Sequence, residues 1–395
     1  MEYNIVKYAN IGKVKSGKRL PKGEVVSEII SNNKYIRVRD INGNAINPND
    51  VQYITDDASE KIRNYRVKTS DIIISVVGTV GSIAEIPNKL DGAYLTENCD
   101  NLLVDENICL KKYLKHYLIS KYGQEQVIAN TVGSTQPKLP IYGIENFDII
   151  LPNIYIQNKI VKILEAFDNK ILINNQTNDN LLNLLRASFK KYFIENLKKD
   201  WKEQKLENIV SIRRGASPRP IQKFLSSEGI NWLKISDVTG IDSPFIYDIK
   251  EKIIEEGKSK SLFINKGTLV VSNSATPGIP KFIMIDTCVH DGWLVLSNFD
   301  YKYKNYLYFL IEQIRENLIK LANGSVFNNL KTDILKEYKF YNPDDDTLEK
   351  FNSIAEAMMN MINKNTTENK YLESIRDTLL PKLMNGEIDL DKIEI

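Results

Sequence analysis

The chain has 395 residues, 42% of them hydrophobic and 26% charged, with a formal net charge of +2. That length allows two to four domains with sizeable cores, no apolar run is long enough to span a membrane, and MEYNIVKYAN lacks a signal-peptide pattern. Three cysteines without framework spacing (Cys99, Cys109, Cys288) and only two histidines (His116, His290) argue against a disulfide scaffold or a His-rich metal site and point to a reducing cytoplasm.

In chain order, IGKVKSGKRLPKGE predicts a strand ending in a basic turn. Ser31 to Ile41 alternates and is β-rich, and Asp71 to Val77 is a short buried strand running into the tight loop Gly78–Gly81. Residues 111–130 carry a helical pattern, and Gly133 to Lys138 is a polar loop. From Leu151 to Leu197 one long amphipathic helix is predicted, about 60 Å for about 40 residues. Its seam places Leu164, Ile171 and Leu185 on one row and Phe167 and Leu181 on the next, with Asn174 and Asn178 where apolar residues are expected. Such a helix needs a partner to bury that seam.

The partner is a repeat. At an offset of 191, Gly133–Phe193 aligns without a gap on Gly324–Met384, with 14 of 61 positions identical. Roughly four would be expected by chance. Ile171, Asn174, Asn178 and Leu181 recur as Ile362, Asn365, Asn369 and Leu372. Upstream, at an offset of 197, YIRVRDI matches WLKISDV and DIIISVVGTVG matches TLVVSNSATPG, repeating Ser75, Thr79 and Gly81 as Ser272, Thr276 and Gly278. The expected class is α+β: two mixed α/β domains and two long helices forming an antiparallel coiled coil, with a pseudo-two-fold internal repeat. The spans are 1–152 and 199–343 for the globular parts, 153–198 and 344–385 for the rods, and 386–395 for a tail.

Charge is unevenly distributed. Residues 1–40 hold nine Lys or Arg against four acids, and 201–223 hold six against two. Basic character at the start of each repeat suits a polyanion; the plain alternative is a solvated face. Lys13, Lys15, Lys18, Arg213 and Arg214 are candidate phosphate contacts, and Arg19, Arg37, Arg39, Arg219 and Lys234 are further candidates for DNA binding. Gly12–Arg19 nearly spells a nucleotide-binding G-x-x-x-x-G-K-[ST] loop but has Arg19 in place of the magnesium-binding hydroxyl.

Two pairs of loops are candidates for reading base edges. Ser75, Thr79 and Gly81 lie in one loop of the first pair and Ser272, Asn273 and Thr276 in its counterpart, with Lys281 close by; Gln136 and Lys138 lie in one loop of the second pair and Asn328, Asn329 and Lys331 in its counterpart. The glycines alone could equally mark turns needing positive φ. There is no methyltransferase tetrad, no metal-ligand spacing and no nucleophile–base set.

LPNIYIQNKIVKILEAFDNKILINNQ, LESIRDTLLPKLMNGEIDL and IVSIRRGASPRP followed by INWLKISDV resemble the specificity subunits of type I restriction–modification systems. The resemblance covers nearly the whole chain and is most specific in the rods. It implies two target-recognition domains, each reading half of a bipartite sequence in double-stranded DNA. It implies rods that set the spacer and bind two modification subunits, with restriction subunits in the full complex. S-adenosylmethionine, ATP and Mg would belong to those partners, with no cofactor and no catalysis on this chain. Two other classes remain: a scaffold whose ends bind proteins rather than DNA, and an enzyme fragment.

Overall fold

The computed structural model describes residues 4–238, 240–322, 329–388 and 390. It is mixed α/β with two long helices, Ile154–Lys190 and Asp345–Met384. Backbone contacts divide it into two compact units, 1–171 with 370–395 and 172–369, so each unit holds one globular repeat and part of each rod.

The first unit is built on an antiparallel sheet ordered Gly12–Ser16, Cys99–Val104, Ile72–Ser75, Ile83–Glu85. Ile72, Ile73 and Ile74 are fully buried because both sheet faces are covered, which is why they run on without alternation. Ile72 and Ile74 pack towards Leu114, Leu118, Ile160 and Leu164; Ile73 packs towards Ile36, Leu95 and Cys99 on the other side. A second sheet sets Lys34–Ile36 between Gln52–Tyr53 and, in parallel, Tyr94–Leu95.

The second unit repeats the plan. Its sheet is ordered Ser211–Arg214, Trp293–Ser297, Thr268–Ser272, Pro280–Ile283, Phe245–Ile246. The strand Ile230–Leu233 pairs in parallel with Thr287–Val289, matching the parallel pair of the first unit. Within this unit the tail of the first rod, including a π-turn at Lys191–Glu195, delivers Phe189 and Phe193 into a cluster with Trp201, Tyr306 and Phe351.

Each rod starts on a side-chain cap. Asn153 accepts from Ile156 N–H at 3.0 Å, and its repeat counterpart Asp344 accepts from Thr347 N–H at 2.9 Å. One turn on, the fully buried Gln157 donates to the carbonyls of Ile108 and Pro152 and accepts from Leu110 N–H. Its counterpart, Leu348, is equally buried but apolar, so one rod is latched by hydrogen bonds and the other by packing.

Two sequence expectations change. The helical stretch 111–130 is two helices, Lys111–Ile119 and Lys121–Asn130, because Ser120 leaves the helical conformation and caps the second at Gly123 N–H. The β-rich stretch 31–41 is not one strand: Lys34–Ile36 ends where the Asp40 carboxylate accepts Arg37 N–H at 2.8 Å and closes a 3-10 turn at Val38–Asp40, and a separate short strand, Ile41–Asn42, follows. Asp237 does the same with Lys234 N–H in the second unit.

In the seam, Leu164, Leu185 and Ile362 are fully buried, and Asn174, Asn178 and Asn369 nearly so. Phe167, Ile171, Leu181, Asn365 and Leu372 are half-buried, and Leu182 and Phe189 take the fully buried places beside them. The seam follows the helix's own 3.6-residue period more closely than a strict heptad. Within the second unit Asn174 bonds Asn369 and Asn178 bonds Asn365, so the helices run antiparallel there. Within the first, Asp168 of one rod holds Arg376 of the other at 2.7 Å.

Candidate nucleic-acid interface

In the first unit the edge strand Gly12–Ser16 points Lys13 and Lys15 outward by its two-residue period. It ends at Gly17, whose N–H donates to Cys99 O, and Lys18 N–H donates to Leu95 O. A Cβ on Gly17 would lie 1.9 Å from Thr96 O, so only glycine allows this approach. Val76 N–H then bonds Asn98 O, and Leu139 N–H bonds Val76 O. These bonds bring together, in order, the basic turn, residues 95–99, the loop after Ser75 and the loop before the rod.

The second unit builds the same ridge. Gly215 N–H bonds Trp293 O, Ala216 N–H bonds Val289 O, Asn273 N–H bonds Gly292 O, and Leu330 N–H bonds Asn273 O. A Cβ on Gly215 would lie 2.2 Å from His290 O.

The ridge exposes Lys13, Lys15, Lys18, Arg19, Thr79, Gln136 and Lys138 in one unit and Arg213, Arg214, Arg219, Thr276, Asn329 and Lys331 in the other. Arg19 and Arg219 hold single carboxylates, Glu97 at 2.6 Å and Asp291 at 3.2 Å, with their own side chains 80% exposed. Burial alone would raise the Asp291 pKa; the Ser217 hydroxyl and the positive charge of His290, Arg214 and Arg219 outweigh it and hold the carboxyl below its usual range. Asn328 lies outside the described residues.

Several candidates serve the ridge's own structure instead. Ser75 and Ser272 are buried. The Ser75 hydroxyl donates to Thr79 O and accepts from Ser82 N–H at 2.9 Å; Ser272 donates to Thr276 O and accepts from Ile279 N–H at 2.9 Å. Each serine staples its loop shut, so neither hydroxyl is left for a base. Asn273 is buried and donates to Asp291 O; buried Lys281 donates to the carbonyls of Ile241 and Ser243, and burial pushes its pKa down to about 8. Gly81 is buried at φ +88. Arg37 is half-buried on Asp40 and Gln52, and Lys234 on Glu251. Arg39, by contrast, is exposed, on the wall of a cleft of about 550 Å³ also lined by Arg19, Tyr35 and Glu97.

The sequence reading missed the supports behind the loops. Gln124 donates to Gly81 O at 3.1 Å and Arg315 donates to Pro277 O at 3.1 Å, each from a helix packed behind the loop it holds. No periodic signal marks them, because each is an ordinary polar position on an amphipathic helix. Among the described residues there is no cluster of potential metal ligands and no helix long and apolar enough to cross a membrane.

A family model described as the type I restriction modification DNA specificity domain matches residues 1–183 and again 198–377, once per repeat. The chain belongs to that family. It is 22% identical over 349 residues to the MjaIX specificity subunit of Methanocaldococcus jannaschii, covering 82% of this chain and 78% of that one. It is 21% identical over 402 residues to the HindI specificity subunit of Haemophilus influenzae, covering 82% and 87%. The crystal structure of the type I S subunit from M. genitalium shares the fold, with a TM-score of 0.58, 18% identity and coverage of 97% and 96%. In this specificity-domain chain, then, the family match and the geometric ridge repeat together.

Proposed function

We propose that the chain is the DNA-reading subunit of a type I restriction–modification complex. Each repeat reads one half of a bipartite target in double-stranded DNA. The rods set the unread spacer by their length and offer their outer faces to two modification subunits. Those subunits supply S-adenosylmethionine and methylate the target; restriction subunits add ATP- and Mg-dependent translocation and cleavage. This chain performs no bond-making step of its own.

The observation that carries the proposal is the ridge built twice from the same backbone bonds, with exposed cations on its basic strand and turn and stapled loops bonded to it. Lys13, Lys15, Lys18, Arg19, Arg213, Arg214, Arg219 and Lys331 neutralise phosphates and fix the register on the duplex. Thr79, Gln136, Lys138, Thr276 and Asn329 offer hydroxyl, amide and ammonium groups to base edges. Stapling the loops in advance lowers the ordering cost on binding.

The test is binding of this chain, with modification subunits supplied, to duplexes bearing the sequence that its host methylates. Affinity that falls steeply with salt and prefers that sequence supports the reading. Absence of salt-dependent DNA binding, with the fold intact, favours the protein-scaffold alternative.

A further inference from the structure

We infer that Ala275 is a specificity-determining residue whose methyl group packs on the C5-methyl of one thymine in the half-site read by the second repeat. The inference rests on the DNA-reading function proposed above.

Ala275 sits at the tip of the loop after Thr268–Ser272 with φ +59, in the left-handed region that disfavours a Cβ. At the matching tip in the first repeat stands Gly78, with φ +82. Nothing lies within 4 Å of where a Cβ on Gly78 would be, so the loop itself has no use for a side chain there. Ala275 is likewise exposed. The second repeat therefore keeps a strained residue, where glycine does the same structural work without strain, and its methyl projects into solvent.

The rest of the loop is fixed. The Ser272 hydroxyl and carbonyl hold Thr276 O and Gly278 N–H, Thr276 N–H bonds Ser274 O at 2.7 Å, and Arg315 holds Pro277 O. A methyl group on a tip held this firmly is a small, rigid apolar probe between hydrogen-bonding neighbours. In the major groove the thymine C5-methyl is the apolar feature that separates T from C, and alanine is a side chain that contacts it. Strain at an exposed tip beside the candidate base reader Thr276 is a local cost that can serve recognition.

The experiment is a two-by-two cycle on the full chain with modification subunits supplied. The protein is wild type or Ala275→Gly, and each thymine of the methylated target is replaced in turn by deoxyuridine, which lacks only the methyl. Wild type is expected to bind about fourfold more weakly when one particular thymine is replaced, the loss that corresponds to one buried methyl group. Ala275→Gly should lose a similar factor on unmodified target and show no further loss with deoxyuridine at that position. Its melting temperature should hold or rise, because glycine relaxes the backbone. A flat deoxyuridine scan with wild type, or equal weakening of both DNAs by Ala275→Gly, overturns the inference. If wild type shows no preference for the methylated target at all, the proposed function itself fails, which is a separate result.

Discussion

The side-chain amide of Asn174 donates to Oδ1 of Asn369 at 2.8 Å, from the first rod to the second, where both residues are almost fully buried. Asn174 also donates to Glu368, and Asn369 donates to Asn175, so this seam layer is satisfied from both sides. A polar layer in an apolar seam weakens packing but penalises every other register, because a shift would bury amides without partners. Asn174→Leu should therefore cost about 1–3 kcal/mol, chiefly by stranding Asn369. Asn174→Leu with Asn369→Leu should cost less than the two single changes added together. Thermal unfolding of the three variants checks this, and strict additivity would contradict a coupled pair.

Gly81 combines φ +88 with a Cβ position 2.7 Å from Val127 Cγ1. Gly81→Ala should destabilise the first unit by about 2–3 kcal/mol through backbone strain and overpacking. Gly78→Ala, with open space around it, should cost only the strain. Equal melting temperatures for the two variants would show that Val127 yields freely.

His116 is buried on the helix Lys111–Ile119, facing Asp168, with Lys115, Arg376 and Glu85 nearby. Burial pushes its pKa from 6.5 down to about 4, against the attraction of Asp168. The unfolded chain therefore takes up this proton before the folded one does. Stability should fall as pH drops from about 6.5 towards 4, by up to about 3 kcal/mol in all. His116→Gln should flatten that part of the stability curve, whatever it does to stability at neutral pH. An unaltered slope between pH 6.5 and 4 would assign the acid sensitivity to other groups.

The cations of the ridge should act uniformly. Substituting Lys15 or Arg213 by Ala is expected to weaken binding to all duplexes alike and to lower the salt slope by about one unit. Titrations at several salt concentrations measure it. A changed sequence preference with an unchanged slope would make the residue a base reader.

What was legible in the sequence was whatever repeats or has a period. The rods, the seam asparagines and the two globular parts follow from the offset of 191 and from helical spacing. The roles of individual loop residues were not legible. Ser75 and Ser272 looked like base readers because small polar residues at a strand end suit both a groove and a staple. Only the third dimension separates those, by turning the hydroxyl inward to Thr79 O or Thr276 O. Lys281 misled for a related reason: lysines are usually solvated, and this one is buried on its strand by two carbonyls that no local pattern announces. The half-buried places of Ile171 and Leu181, with Leu182 behind them, reflect a seam drifting at 3.6 residues per turn where 3.5 was expected.

The central claim is that each repeat reads its own half of the target. Replacing residues 1–150 by the corresponding part of another specificity-domain protein, with modification subunits supplied, and sequencing the methylated positions of the host genome tests it most directly. The account predicts that one half of the bipartite target changes, while the other half and the spacer stay as they were. A swap that rewrites both halves, or neither, would contradict it.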